Sequence, residues 1–267
     1  MVSENDNEQG RYLYCVVNSG EETDFGQMGI EENLVYTVAF NDIGAVVHRC
    51  KAKPYNTEDK EKSAEWILAH QYVIDLATKE FGTVIPLTFD TIFKGGDETV
   101  KKWIGEEYHQ LKALLLRLQG KAEYGVQIFF ENDLFNKVRE ESEEIQGFKK
   151  GLENKSSGAA YLFKKKLEKR IQIEREASIN KYAKELYDHI AKLVDDVKLE
   201  PTNRKIPEKW QDKQMILNLT CLADKDKIQD LGNMLEEVNK REGLAVRFTG
   251  PWPPYSFVGE IGDSKPR

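Results

Sequence analysis

The spacing of apolar residues separates stretches of period two, typical of strands, from stretches of period three to four, typical of helices. In the first half, strand patterns cover residues 11–17, 34–40 and 43–49, and shorter extended pieces cover 83–87 and 89–93. Asn41 and Asp42 lie between the second and third strands, where such residues favour a tight turn. The sequence therefore predicts a β-hairpin at residues 34–49.

Two helices are predicted in the same half. The first is capped at Thr57 or Ser63 and runs to about Glu80, with Gly82 ending it. Its predicted buried stripe contains Ala64, Ile67, Ile74 and Ala77, widened by Trp66, Leu68 and Val73. The second helix starts after Gly95 and Gly96, and its predicted buried stripe is Val100, Ile104, Leu111, Leu115 and Leu118.

The second half repeats this alternation around one long helical pattern. A strand at residues 123–130 precedes a charge-dense stretch, and residues 160–197 then read as helix. Heptad spacing is carried by Ile179, Ala183, Leu186, Ile190, Leu193 and Val197. At 1.5 Å per residue such a helix would be on the order of 60 Å long. Strands at 197–199, 215–222 and 244–248 follow, with a helix whose apolar stripe is Ile228, Leu231, Leu235 and Val238.

The order strand, helix, strand, strand, helix, strand is the split βαβ pattern of ferredoxin-like domains. The first half gives a hairpin-rich version of it. We therefore predict an α+β fold of two ferredoxin-like domains, the second carrying the long heptad-patterned helix. The predicted segments are a disordered acidic leader at 1–9, an N-terminal domain at 10–120, a C-terminal domain at 121–250 and a proline- and aromatic-rich tail at 251–267.

Composition narrows the class of protein. The 267 residues carry a formal net charge of −7, which argues against a dedicated nucleic-acid binder. No apolar run approaches the length of a membrane span, so we expect a soluble chain. We also expect it to be a monomer in isolation. Cys15, Cys50 and Cys221 lie far apart in strand-like text, without metal-site spacing or a neighbouring histidine. They are interpreted as free thiols in a reducing cytoplasm.

The tail that follows the last strand has an unusual composition. Thr249-Gly250-Pro251-Trp252-Pro253-Pro254-Tyr255-Ser256-Phe257-Val258 places three prolines within four positions, which excludes helix and central strand. Its aromatic side chains favour burial, so one interpretation is a clasp on the chain's own domain. The alternative is a docking ridge for a partner, because residues 251–254 also fit the loose P-x-x-P pattern.

Candidate catalytic residues are few. His70 falls on or beside the buried stripe of its helix and is interpreted as a core histidine, without the i+4 partner of a zinc pair. Asp90 follows an extended piece and is either a catalytic acid or a turn acceptor. Residues 94–99 resemble a helix cap more than a phosphate loop. The rival hypothesis remains a small-molecule enzyme or ligand-binding protein with His70 and Asp90 near a pocket.

Four stretches resemble the gas vesicle accessory proteins of the GvpF/GvpL family. They are Arg11-Tyr12-Leu13-Tyr14-Cys15-Val16-Val17, Asp42-Ile43-Gly44-Ala45-Val46-Val47, the stretch from Ala69-His70 through Gly82-Thr83-Val84-Ile85-Pro86-Leu87-Thr88-Phe89-Asp90-Thr91-Ile92-Phe93, and Arg247-Phe248 leading into the tail. The tail string is the most specific of them. The resemblance departs at Asp90, where family members usually have glycine, and this difference bears on the backbone geometry of that turn.

The resemblance implies a non-enzymatic role in building gas vesicles, in the cytoplasm and at the vesicle, without cofactor or metal. It implies contact with the hydrophobic major shell protein, GvpA, and with other accessory proteins, and no nucleic-acid or membrane partner. A protein of this kind would shield or nucleate shell subunits. The outward side of the 160–197 helix is one expected contact surface. The other is formed by the tail residues Trp252, Pro253, Pro254, Tyr255 and Phe257.

Overall fold

The computed structural model describes residues 9–135, 157–203 and 206–259, which form two compact units. The first unit extends to Glu123 and also includes the chain from Pro251 onward; the second is Tyr124–Gly250. The tail predicted as a separate segment is therefore grouped with the first unit. The predicted leader lies outside the described residues except for Gln9, which begins the first strand.

The first unit is built on one sheet. Its strands are β1 (Gln9–Val17), β2 (Asp24–Gly26), β3 (Val35–Phe40), β4 (Ile43–Lys51), β5 (Val84–Pro86) and β6 (Ile92–Lys94). Their order is β2-β3-β4-β1-β5, and β6 also pairs with β1. The predicted β3–β4 hairpin is confirmed: Phe40 pairs with Ile43, and Asn41 makes the turn at φ 54°.

Helix α1 (Lys60–Phe81) packs on this sheet through a face that agrees with the predicted one only in part. The Asp59 side chain caps it by accepting from the backbone N–H groups of Glu61 and Lys62. Its buried residues are Trp66, His70, Val73, Ile74 and Ala77. Ala64, Ile67 and Leu68 are exposed, so their predicted burial is wrong. The predicted burial of Trp66, Val73, Ile74 and Ala77 is confirmed, and so is the interpretation of His70 as a core histidine.

The second predicted helix is two helices, α2 (Asp97–Glu106) and α3 (Tyr108–Leu118). Glu107 interrupts the helix with φ −96° and ψ 6°. The predicted stripe is nevertheless buried throughout, at Val100, Ile104, Leu111, Leu115 and Leu118. Ile104 and Leu111 are seven residues apart, a spacing that suits one continuous helix or two short ones on the same surface.

The remaining elements are β7 (Lys121–Glu131), α4 (Ser157–Ile190), β8 (Asp196–Leu199), β9 (Lys213–Asp224), α5 (Ile228–Asn239) and β10 (Leu244–Trp252). They form the second unit, except that the start of β7 and the end of β10 are grouped with the first. The order of this second sheet is β10-β7-β9-β8. Leu231, Leu235 and Val238 of α5 are buried, as predicted. The charge-dense stretch after β7 lies largely outside the described residues.

Two predicted boundaries in this unit are wrong. Helix α4 ends at Ile190 rather than at residue 197, because Val197 belongs to β8 and pairs with Cys221. Strand β10 does not stop at Gly250 but continues through Pro251 to Trp252. It lies at the edge of its sheet, where a proline without an N–H is tolerated. No helix in the described ranges is both long and apolar enough to cross a bilayer.

Candidate partner-binding surface

The segment after β10 is anchored to the first unit by buried side chains. Pro253 and Pro254 are buried, and Phe257 and Val258 are 3% and 6% exposed. A 3₁₀ turn at Tyr255–Phe257 follows the two prolines and brings these side chains inward. This packing is the geometry of a clasp, and the unit that it clasps is the N-terminal one.

Hydrogen bonds fix the same segment. The Tyr255 hydroxyl donates to Gln71 Oε1 on α1 at 3.1 Å. The backbone N–H and hydroxyl of Ser256 donate to the two carboxylate oxygens of Glu123, at 2.7 and 2.9 Å. Two donors from one residue on one carboxylate hold the turn in a single orientation.

Trp252 differs from the rest of the predicted contact set. Its side chain is 52% exposed, whereas Pro253, Pro254 and Phe257 are buried and Tyr255 is half-buried. A large indole left in water beside a fixed backbone is a typical anchor of a protein interface. Among the five predicted contact residues, Trp252 is therefore the most exposed.

Helix α4 carries a second exposed apolar set. Tyr161, Leu162 and Ile173 are 59%, 63% and 48% exposed. The heptad positions nearest its C-terminal end behave differently, since Leu186 and Ile190 are buried in the second unit. Of the predicted heptad stripe, Leu186 and Ile190 are buried and the other four positions are half-buried. The exposed apolar residues lie mainly toward the start of the helix.

Of the two residues of the enzyme hypothesis, His70 lies in a packed core and Asp90 is half-buried in a turn. His70 is 3% exposed, and its Nε2 donates to the Leu87 carbonyl at 3.2 Å. Asp90 has φ 70°, in the left-handed region that favours glycine. Its Oδ1 accepts from the Tyr55 N–H at 2.9 Å, which makes it a turn acceptor.

Burial sets the protonation states of the histidines and tyrosines in this core. Desolvation lowers the pKa of His70 to about 4, and burial with the neighbouring His70 lowers the pKa of His48 to about 4. Desolvation raises the pKa of Tyr12 and Tyr14 above its ordinary value. All four side chains are therefore neutral near pH 7, and none is poised as a general acid or base at that pH.

His48 was missed in the sequence. It occupies an inward position of β4 directly opposite Tyr12 of β1, and the alternation of β4 would have placed it on the core face. Its Nδ1 and Nε2 bond to the hydroxyls of Tyr14 and Tyr55 at 2.7 and 3.0 Å. The two histidines thus share a core but serve as hydrogen-bonding partners of tyrosines.

The helix N-terminus at residues 94–99 is already bonded to other side chains of the protein. Asp97, the first residue of α2, accepts from Arg11 Nε and from the Tyr36 hydroxyl, both at 2.7 Å. Although desolvation opposes it, these two bonds hold the pKa of Asp97 below its ordinary value. A negative charge that is already fixed at this helix terminus would repel a phosphate.

A surface cavity of about 360 Å³ opens beside the loop that follows β4. It is lined by Cys50, Lys53, Pro54 and Tyr55 among others, and neither His70 nor Asp90 borders it. Desolvation raises the pKa of the Cys50 thiol to about 11, so the nucleophilic thiolate is scarce near pH 7. Among the described residues, no group of three histidine, cysteine or acidic side chains could hold a metal ion.

Comparison with known proteins identifies relatives along nearly the whole chain. Residues 10–259 match the family described as "Gas vesicle synthesis protein GvpL/GvpF". The chain is 33% identical over 258 residues to gas vesicle protein L1 of Halobacterium salinarum, covering 95% of this chain and 92% of that protein. It is 29% identical to gas vesicle protein L of Haloferax mediterranei, covering 95% and 88%.

A solved structure agrees with the fold. The crystal structure of gas vesicle protein GvpF from Anabaena sp. superposes with a TM-score of 0.68 at 20% identity, covering 94% of this chain and 98% of that one. The similarity therefore extends over both units and the tail. The chain belongs to the GvpL/GvpF family of gas vesicle synthesis proteins.

Proposed function

We propose that this protein assists gas vesicle assembly by binding the hydrophobic shell subunit GvpA and other accessory proteins, and that it shields or nucleates shell subunits rather than catalysing a reaction. The proposal rests on family membership across residues 10–259. A shell subunit with an apolar gas-facing surface would aggregate before assembly unless another protein covered that surface. The proposed location is the cytoplasm and the growing vesicle.

We further propose that both units are ferredoxin-like. Across the second sheet the order is β10-β7-β9-β8, which is the fourth, first, third and second strand of that unit in chain order. This is the order of the split βαβ fold. In the first unit, β1, β3, β4 and β5 give the same order, with β2 and a 3₁₀ turn in place of the first helix. A rigid scaffold of this kind can present fixed side chains to a partner.

The single observation that supports the contact surface best is Trp252. It is 52% exposed, yet it precedes buried Pro253 and Pro254, so its backbone is held while its indole faces solvent. We propose that Trp252 inserts into an apolar surface of the shell subunit. Pro253, Pro254, Tyr255 and Phe257 then support the contact by fixing the tail. Tyr161, Leu162 and Ile173 on α4 offer a separate apolar surface for the same class of partner.

Co-expression with the shell subunit tests this role. We expect Trp252→Ala to reduce the shell subunit that co-purifies by about tenfold or more, as loss of an interface anchor does. Its melting temperature should stay unchanged, because the indole is mostly exposed. Tyr72→Ala is the matched control, since Tyr72 is 50% exposed in the same unit and is expected to retain binding.

Two results would overturn the proposal. One is failure of the unaltered protein to co-purify with the shell subunit together with normal vesicles in cells that lack it, which would remove the assembly role. The other is full binding by Trp252→Ala, which would remove the tail surface while leaving the α4 surface to be tested by Leu162→Ser.

A further inference from the structure

A cage of two tyrosines and two histidines lies in the first unit, and it is independent of the proposed shell contact. Each tyrosine hydrogen-bonds to one histidine and stacks on the other. The Tyr12 hydroxyl lies 2.9 Å from His70 Nδ1, and the Tyr12 ring stacks on His48 with centroids 4.9 Å apart and an interplanar angle of 7°. The Tyr14 hydroxyl lies 2.7 Å from His48 Nδ1, and its ring stacks on His70 with centroids 5.5 Å apart and an interplanar angle of 28°. All four side chains are buried, so neither imidazole can turn toward water.

The partners of His70 determine where its proton lies. A carbonyl oxygen can only accept, so the Nε2 that faces Leu87 carries the hydrogen. Nδ1 is then an acceptor and receives the Tyr12 hydroxyl hydrogen. The Tyr12 oxygen in turn accepts from the Asp90 N–H at 3.0 Å. Each donor and acceptor in this series of hydrogen bonds has its partner when His70 is neutral.

The same accounting applies to His48. The Tyr14 oxygen accepts from the Ile30 N–H at 3.1 Å, so its hydroxyl hydrogen is available to His48 Nδ1. In this tautomer Nε2 donates to the Tyr55 hydroxyl; in the other, Nδ1 donates to Tyr14 and the Tyr55 hydroxyl donates to Nε2. A further proton on either ring would go to the nitrogen that accepts a tyrosine hydroxyl hydrogen, and that hydroxyl would have to turn its hydrogen away. Protonation therefore removes the acceptor of a buried hydroxyl hydrogen and disturbs the cage.

Among the described residues, the carboxylates that face the cage are bonded to other groups. The Asp90 carboxylate accepts from the Tyr55 N–H, and Glu31 pairs with Lys62 at 3.3 Å. Within the described part of the chain, no carboxylate bonds to either imidazole. The titratable groups that face the cage from the neighbouring elements are Tyr12 and Tyr14 of β1, Cys50 of β4, Tyr55 of the following loop, Glu31 of the 3₁₀ turn and Asp90 of the β5–β6 turn.

We infer that this cage is an acid-sensitive lock: it holds α1 and the segments around Ile30, Tyr55 and Asp90 on the first sheet while both histidines are neutral, and protonation of either histidine releases them. Release would expose the side of α1 that carries Trp66, Val73 and Ile74. An apolar surface that is absent at neutral pH would then become available in acid.

The direction of the pH effect follows from where the proton binds more tightly. In the closed unit burial holds the pKa of His48 and of His70 at about 4, whereas a released histidine titrates near 6.5. The open state therefore binds more protons between these values, and opening is favoured as pH falls through this window. Above about pH 6.5 the lock is fully closed. At pH 5 each histidine should raise the opening equilibrium about 30-fold relative to pH 7.5.

Hydrogen exchange on the full chain, followed by mass spectrometry from pH 7.5 to 4.5, measures this opening. The reporters are the amides of Ile30, Leu87 and Asp90, which donate to Tyr14 Oη, the Tyr14 carbonyl and Tyr12 Oη. We expect their protection factors to fall at least 30-fold by pH 5. Peptides from β9 and α5 of the second unit serve as internal references and should change little.

The double variant His48→Gln/His70→Gln should lose this pH dependence, because an amide side chain does not titrate. His109→Gln is the matched control: His109 is exposed, so the same replacement should leave the pH dependence intact. The inference is overturned if the reporter amides keep their protection at pH 5, or if β9 and α5 lose theirs equally. Should the double variant not fold, NMR titration of the unaltered protein decides, and a pKa of 5 or above for both histidines would overturn the inference.

Discussion

Asp90 shows how a non-glycine residue is accommodated in a left-handed turn. Its φ of 70° is a region that few side chains tolerate, although aspartate and asparagine do so by bonding to nearby backbone. Here Oδ1 accepts from the Tyr55 N–H, and the Asp90 N–H donates to Tyr12. Asp90 therefore keeps the turn and also connects it to the loop after β4.

This role can be separated into backbone and side-chain parts. Asp90→Ala should lower the free energy of unfolding of the first unit by about 1–3 kcal/mol, because it loses the acceptor and keeps the strained φ. Asp90→Asn keeps a side-chain oxygen as acceptor and tolerates the left-handed φ, so its free energy of unfolding should stay within about 0.5 kcal/mol of that of the unaltered protein. Chemical denaturation of the two variants checks this, and equal stability of Asp90→Ala and the unaltered protein would contradict it.

At the scale of elements, α1 presents two isoleucines to opposite environments. Ile74 is fully buried against the first sheet, whereas Ile67, seven residues earlier, is 50% exposed. Seven residues advance a helix by nearly two turns, so small differences in rotation decide which side chain enters the core. Trp66 and His70 take the inward positions near the start of the helix, and Ile67 is displaced toward solvent.

The two isoleucines provide a matched pair for a stability measurement. Ile74→Ala should cost about 2–5 kcal/mol, the usual range for a large-to-small change in a packed core. Ile67→Ala should cost less than about 1 kcal/mol, since half of its side chain is already in water. Thermal and urea unfolding of both variants would show the difference. Equal losses would mean that α1 buries the face predicted from apolar spacing.

Local patterns recovered most elements, because the β3–β4 hairpin and the stripes of α2, α3 and α5 depend on residues close in sequence. They failed where a distant partner decides the outcome. Val197 continues the heptad spacing, which extended the predicted helix to residue 197, but it pairs with Cys221 in β8. Ile67 fits the apolar spacing of α1, but Trp66 and His70 take the inward positions on the sheet. For the candidate surface, the residue types indicated aromatic contacts, and only the fold distinguishes exposed Trp252 from buried Phe257.

At the scale of the whole molecule, the chain leaves its first unit at Glu123 and returns to it at Pro251. The returning segment buries Phe257 and Val258 and bonds Ser256 to Glu123, the last residue before the second unit begins. The first unit is therefore closed by a bond between two of its residues that are far apart in sequence, and its stability depends on the returning segment.

Phe257→Ala measures that dependence. We expect it to lower the free energy of unfolding of the first unit by about 3–5 kcal/mol, as removal of a buried phenylalanine does. Trp252→Ala, on the same segment but exposed, should leave that stability nearly unchanged. Hydrogen exchange of β1 and α1 peptides distinguishes the two variants, and a fall confined to the second unit in Phe257→Ala would contradict this account.

The return of the tail also has a consequence for biosynthesis. Domains generally fold in the order in which they leave the ribosome, the N-terminal one first. Here the ribosome must translate all of Tyr124–Gly250 before the first unit receives the side chains that complete it. During that interval the nascent chain would expose an incomplete apolar surface to chaperones. The folding order would then be reversed, because Tyr124–Gly250 would be complete before the first unit.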